Sequence, residues 1–373
     1  MKTICFYLPQ FHPVPENDEW WGKGFTEWTN VVKAKPRFKG HHQPQLPADL
    51  GFYDLRLKET RIAQAELAKM YGISGFCYYH YWFNGKRILE QPFDEVLSSG
   101  APDFPFCLCW ANESWTKNWT GLNKHVLLEQ THSEDDDLLH IDWLIRAFKD
   151  VRYIKVQNKP LLLIYRIDLI PHVQKMLQLW RNKAKINGFS DLYLVAVKNN
   201  FVKNSAQAII DLGFDGVVEF QPNSAYFPHR NPLQKIKNKV KRKTNVILGH
   251  LTGNMLQQSF YVSDVYDYRK FVDKAIKGLG KSGKVFPTVI PGWDNSARRR
   301  DGARIIQNDD PALYANWLSK AIESVKRFDS EEQLVFINAW NEWAEGCKLE
   351  PDARNGRKFL EATRDAISKG VAS

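Results

Sequence analysis

No apolar run in this 373-residue chain approaches the roughly 20 residues that a helix needs to cross a membrane. The N-terminus, MKTICFYLPQFHP, offers one lysine and a short apolar stretch. It has neither a long hydrophobic core nor a small-residue cleavage site, so it does not read as a signal peptide. Cysteine is scarce and odd in number: Cys5, Cys77, Cys107, Cys109 and Cys347, the first four inside apolar runs. That excludes a disulfide scaffold, fits free thiols in a reducing compartment, and makes the sequons at Asn112 and Asn118 irrelevant to glycosylation. The C-x-C at 107–109 puts both thiols on one strand face, where core packing is the reading preferred to a metal. Metal frames are otherwise missing. His41–His42 lacks a spaced carboxylate, and the D-x-D within EDDD (134–137) sits where a helix begins and acids belong anyway. GLGKSG at 278–283 matches G-x-G-x-x-G, but a helix precedes it and a strand follows, the reverse of a phosphate-binding loop. No metal and no cofactor are expected.

What is present begins with charge. The formal net charge is +10, and much of it lies in KIKNKVKRK at 235–243. This run reads either as a solvated loop or as weak docking to an anionic membrane surface or polymer. Nucleic acid is disfavoured, because no aromatics are interleaved for base stacking. The expected location is cytoplasmic, peripheral to the inner membrane if the basic run docks there. Hydrophobic content of 43% and charged content of 25% fit a globular protein with a large core.

Eight apolar, strand-like runs recur along the chain, at 3–9, 73–83, 105–112, 160–167, 192–198, 215–221, 285–291 and 333–340. Continuous apolar character marks strands buried on both faces. Helical segments alternate with them. In 54–72, Leu55, Ile62, Leu67 and Met70 suggest an apolar stripe; 135–150 opens with acids; 311–326 opens with proline; a last helix is expected near 356–369. Eight such alternations predict an α/β fold, a (β/α)₈ TIM barrel, with one catalytic unit over 1–373. Two βα loops are long: loop 1 (10–53), and loop 6, a basic insertion at 222–263.

The active site of such a barrel lies at the C-terminal ends of its strands. Reading those ends collects a candidate substrate-binding set. Strand 1 supplies Tyr7 and Gln10, and loop 1 adds Glu27 and Trp28. Strand 2 ends with Tyr79, His80 and Trp82, and strand 3 with Trp110, Asn112 and Glu113. Strand 4 gives Tyr165 and Arg166, and strand 6 gives Glu219. Strand 7 runs into Trp293, Asp294, Asn295 and Arg298, and strand 8 into Trp340, Asn341 and Trp343. Sugar rings stack their apolar faces on indoles and offer hydroxyls to acids, amides and arginines, so this mixture suits a saccharide. Glycosidic cleavage usually needs two carboxyl groups. Glu342 and Glu345, three apart at the exit of strand 8, are the candidate catalytic pair. Glu113 is a further carboxylate whose part in chemistry stays open.

GKGFTEWTNV (22–31), HHQPQLPADLGFYDLR (41–56), CWANESW (109–115), PGWDNSARR (291–299) and NAWNEWAEG with LEPD (338–352) resemble the WbsX-like family. That family is described as glycosyltransferase-like and is similar to glycoside hydrolase family 99. The resemblance covers nearly the whole chain. It implies a TIM barrel and a retaining mechanism like that of the family 99 endo-α-mannosidases. There, the first Glu of an E-x-x-E pair takes the proton of the sugar 2-hydroxyl, giving a 1,2-anhydro intermediate, and the second is the general acid/base. By position, the resemblance implies base for Glu342 and acid for Glu345. It also implies a substrate among bacterial surface polysaccharides (O-antigen, capsule) or their lipid-linked precursors. The leading expectation is a retaining endo-type glycosidase or transglycosidase. A glycosyltransferase of the same pathway and a non-catalytic glycan-binding barrel stand as alternatives.

Overall fold

The computed structural model describes residues 1–116, 126–228, 240, 244, 263–280, 283–299 and 301–372. Eight strands form its centre among the described residues: β1 (Lys2–Tyr7), β2 (Gly75–Phe83), β3 (Phe106–Trp110), β4 (Lys159–Ile164), β5 (Tyr193–Lys198), β6 (Gly216–Glu219), β7 (Val285–Val289) and β8 (Leu334–Ile337). Each pairs in parallel with its sequence neighbours. β8 returns to β1 through Ile4↔Phe336 and Cys5↔Ile337, which closes the sheet. This is the barrel that the alternation predicts, and it matches the expected runs strand for strand.

A helix follows every strand: α1 (Lys58–Met70), α2 (Gln91–Ser99), α3 (Glu134–Phe148), α4 (Val173–Ile186), α5 (Ala206–Asp211), α6 (Tyr268–Lys277), α7 (Pro311–Val325) and α8 (Lys358–Ala372). Their starts are chemically marked. Ser133 accepts from Asp136 N at 3.1 Å and Asp310 from Ala312 N at 2.7 Å, each satisfying an otherwise orphaned amide. The acids of EDDD fill the first turn of α3, and GLGKSG lies between α6 and β7 as expected, with 281 and 282 outside the described residues.

Strand residues are buried almost throughout, as in FCLCW of β3 and LVFI of β8. All five cysteines are free and buried. Close approach of the chain explains Gly75, where an added Cβ would lie 2.7 Å from both Ile154 Cδ1 and Pro105 O. One expectation needs correction. Met70 is 63% exposed and Leu55 lies ahead of α1. The buried face of α1 carries Leu67, as expected, together with Arg61, Gln64, Ala65 and Ala68. Two polar residues can sit there because each is hydrogen-bonded, Arg61 to Leu55 O at 2.6 Å and Gln64 to Tyr7 and Glu350 at 2.7 Å each.

Loop 1 is long and structured, with short helices at Pro15–Trp21 and Glu27–Lys33. Loop 6 is long too, but its basic run lies outside the described residues apart from Val240. After β7, Trp293–Asp294 pairs with Ala303–Gln307, which pairs in turn with Ser263–Asp267.

Candidate active site

Past β8, Asn341–Glu342 pairs antiparallel with Cys347–Lys348, and Trp343–Glu345 forms a 3₁₀ turn between them. Three residues per turn align positions i and i+3, so Glu342 and Glu345 emerge on one side. Gly346 ends the turn at φ +58, where a Cβ would lie 3.0 Å from Asp294 N. Asn341 ties the turn to the end of β1. Its Oδ1 accepts from Leu8 N at 2.7 Å and its Nδ2 donates to Leu8 O at 3.0 Å.

Both glutamates reach one cation. Arg298 donates from Nη2 to Glu342 at 2.9 Å, places Nη1 3.1 Å from Glu345, and donates from Nε to Glu27 at 2.6 Å. One guanidinium thus faces three carboxyl groups. Glu27 has no exposed side-chain surface, Glu342 has 8% and Glu345 has 23%. Burial pushes the Glu342 carboxyl up to about 8; Arg298 opposes the rise, and Glu345 and Glu27 add to it. Burial raises Glu27 as well, against the pull of Arg298.

A cleft of ≈ 630 Å³ opens at this end of the barrel. Of the candidate residues it brings together Gln10, Tyr79, Glu113, Tyr165, Trp293, Asn295 and Arg298 with Glu342 and Glu345. Sequence reasoning passed over Trp21, Tyr81, Trp115, Asn199, Phe201 and Phe220, which also line it. Tyr81 was findable, since it shares the strand face of Tyr79. The others sit in loops or at strand ends with no periodic signal.

The remaining candidates do not line this cleft, and most of them pack behind its wall. His80 and Trp82 alternate with Tyr79 and Tyr81 and so face α3. His80 stacks on Trp143 at 4.6 Å and lies 3.0 Å from His140 Nε2, while Trp82 donates to Asp136 at 2.8 Å. Trp110 packs on Trp180, and Tyr7 donates to Gln64 of α1. Trp28 and Trp343 pack on each other at 5.4 Å, and Trp340 packs on Phe76 at 5.2 Å. Asn112 bonds the Arg166 backbone in both directions at 2.8 Å. Arg166 is held by Glu113 at 2.5 Å and Asp168 at 2.8 Å, and lies 4.4 Å above the Phe201 ring. Glu219 accepts from Tyr226 at 2.7 Å. Asp294 meets His41 and Gln43 at 2.7 Å each; burial resists its ionisation, but these contacts hold it below the usual carboxylate range. Asn341 braces β1, and Glu27 reaches the cleft only through Arg298. Among the described residues no cluster of three His, Cys, Asp or Glu is placed to hold a metal.

A family model described as Glycosyltransferase WbsX matches residues 3–363. The chain belongs to the WbsX family. Two curated relatives in strains of Xanthomonas campestris pv. campestris, both called uncharacterized protein WxcX, are 42% identical over 98% of this chain. The match takes up 49% of each relative, so the WbsX-family chain spans about half their length. Among solved structures, the GH99 endo-α-mannosidase of Bacteroides thetaiotaomicron, in complex with bis-tris-propane, aligns at TM-score 0.58 and 15% identity, covering 99% of this chain and 97% of that one. A glycoside hydrolase-like protein aligns at TM-score 0.59 and 13% identity, covering 98% and 93%. These likenesses show the fold. No helix among the described residues is long and apolar enough to cross a membrane.

Proposed function

We propose that this chain is a retaining, endo-acting glycosidase or transglycosidase, with Glu342 as base and Glu345 as acid. Its substrate would be a bacterial surface polysaccharide or the lipid-linked precursor of one. The observation that carries the reading is the 3₁₀ turn that sets both carboxyl groups on one guanidinium at the floor of an aromatic cleft. The rims suit a chain of sugars: Trp21, Tyr81, Trp115 and Trp293 offer ring faces, and Glu113, Asn199 and Asn295 offer partners for hydroxyls. Membership of the WbsX family and the family 99-like fold agree with it.

In the first step Glu342 takes the proton of the 2-hydroxyl, O2 attacks C1, the glycosidic bond breaks, and the leaving oxygen takes the proton of Glu345. In the second, Glu345 takes a proton from the incoming water or sugar hydroxyl as its oxygen bonds to C1 and the C1–O2 bond breaks, and Glu342 returns its proton to O2. The cycle starts with one proton on the pair, carried by Glu345. Burial favours the protonated form of Glu342 in the free protein, so this cycle requires the proton to stand on Glu345 once substrate is bound.

The test is a 2-fluoro glycoside with a good leaving group, followed by intact mass spectrometry. Without a 2-hydroxyl, no turnover and no adduct are expected. A stable mass increase on Glu342 would mean direct carboxylate attack and would refute its role as base to the 2-hydroxyl. The family description also keeps a glycosyltransferase in view; micromolar binding of a nucleotide sugar would favour it.

A further inference from the structure

Glu27 does not line the cleft, yet it makes the shortest of the three contacts to Arg298, at 2.6 Å against 2.9 and 3.1 Å. It comes from loop 1, held at the start of a short helix where its amide donates to Gln10 O at 3.0 Å. Arg299, Arg304 and Glu113 line the same cleft, but among the described residues Arg298 is the cation in ion-pair contact with the three glutamates. Tyr79 and Tyr81 of β2 and Tyr165 beyond β4, half-buried at the cleft, and the buried Cys347 beside the turn face the glutamates, all uncharged and raised by burial. Three carboxyl groups in this setting share one positive charge.

We infer that Glu27 is a positioning residue for proton retention: by neutralising Arg298 from behind, it leaves Glu342 and Glu345 unable to ionise together, so the pair keeps one proton. Two carboxyl groups near a free arginine would both ionise. Near an arginine already matched by a third carboxylate, the first ionisation leaves a net charge of −1, and the second would raise it to −2 in a buried site. Retaining one proton is what an acid–base pair needs, so the purpose of this device rests on the proposed function. The proton count itself does not, and it is read in the free protein without substrate.

The experiment is a pH titration of glutamate side-chain carboxyl ¹³C resonances in wild type and Glu27→Gln, assigned to the pair through Glu342→Gln and Glu345→Gln. Wild type should show a pair resonance titrating near or above neutrality. Glu27→Gln removes a negative charge, so that titration should fall by at least about one pH unit. A purely structural Glu27 would lower the melting temperature and leave the titration in place. Should Glu27→Gln not fold, Arg298→Met gives the opposite expectation, an upward move of similar size. A shift below about 0.3 units in the variant that folds would overturn the inference. So would a wild-type pair with both members titrating in the ordinary carboxylate range. Absence of turnover on every glycan would sink the proposed function and leave this titration standing.

Discussion

Two buried carboxyl clusters grip the same 3₁₀ turn from opposite sides. On the cleft side, Glu342 and Glu345 share Arg298 with Glu27. On the wall side, Glu350 takes Gln64 Nε2 at 2.7 Å, Tyr53 Oη at 2.8 Å and Trp343 Nε1 at 2.6 Å. Trp343 stands between the two catalytic candidates in sequence, so Glu350 fixes the turn that aims them. The wall cluster has uncharged donors aimed at its carboxyl, and burial pushes Glu350 up to about 7 although those donors pull it down. The cleft cluster has a cation, and a cation shared three ways leaves a proton that can move. Fixed dipoles hold a shape, whereas an over-subscribed charge stores a reactive proton.

The largest expected difference between the two sides is in turnover. Glu345→Gln should cost roughly 10²–10⁴-fold on a natural leaving group, the usual worth of general acid catalysis. With an activated phenol, which needs little protonation, the loss should be far smaller. Equal losses on both substrates would remove Glu345 from the acid role and dissolve the contrast. Glu350→Gln should instead change neutral-pH turnover by less than about tenfold, because it alters support rather than proton transfer.

Stability should separate the clusters next. Glu350→Gln trades a carboxyl for an amide whose –NH₂ faces donors, costing about 1–2 kcal/mol as a drop in melting temperature at acid pH. The pH dependence has a definite sign. The folded Glu350 carboxyl is raised from the ordinary 4.5 to about 7, so its favourable share of stability is complete below 4.5 and is lost as pH rises through 7. Glu342, raised to about 8, acts in the same direction over a slightly higher range. Wild type should thus lose stability from pH 4.5 to 8, and Glu350→Gln should flatten the part below 7. An unchanged slope would mean that Glu350 stays ionised in the folded protein.

The same contrast explains what the sequence disclosed. All eight strands were legible because strands buried on both faces spell themselves as unbroken apolar runs, LVFI and FCLCW among them. The E-x-x-E pair was legible because its members are neighbours in the chain. Arg298 and Glu27 were each singled out, but the bond between residues 271 positions apart leaves no local trace. The wall cluster was hidden for the same reason, Glu350 being 286 positions from Gln64. In GFCYYHYWF the difficulty was different: aromatics occupy both faces of β2, so hydrophobicity cannot tell cleft from wall. Only the two-residue period can, once one member is placed.

That period supplies the smallest and most local test. Tyr81 and Trp82 are adjacent on β2, yet Tyr81 lines the cleft, 5.3 Å from the Trp115 ring, while Trp82 stacks on His140 at 4.5 Å and donates to Asp136 at 2.8 Å. Tyr81→Phe keeps the ring and removes a hydroxyl that faces the cleft. It should leave the melting temperature within about 2 °C and weaken glycan binding a few-fold, the worth of one hydrogen bond of about 0.5–1.5 kcal/mol. Trp82→Phe strips a donor from a buried carboxyl and leaves space against α3. It should lower the melting temperature by several degrees, about 1–3 kcal/mol, with glycan affinity unchanged in the folded protein. Calorimetry for stability and titration with oligosaccharide for binding, on both variants, would read the two faces separately. If Trp82→Phe weakened binding and Tyr81→Phe did not, the strand would face the other way, and the division of this barrel mouth into cleft and wall would fall with it.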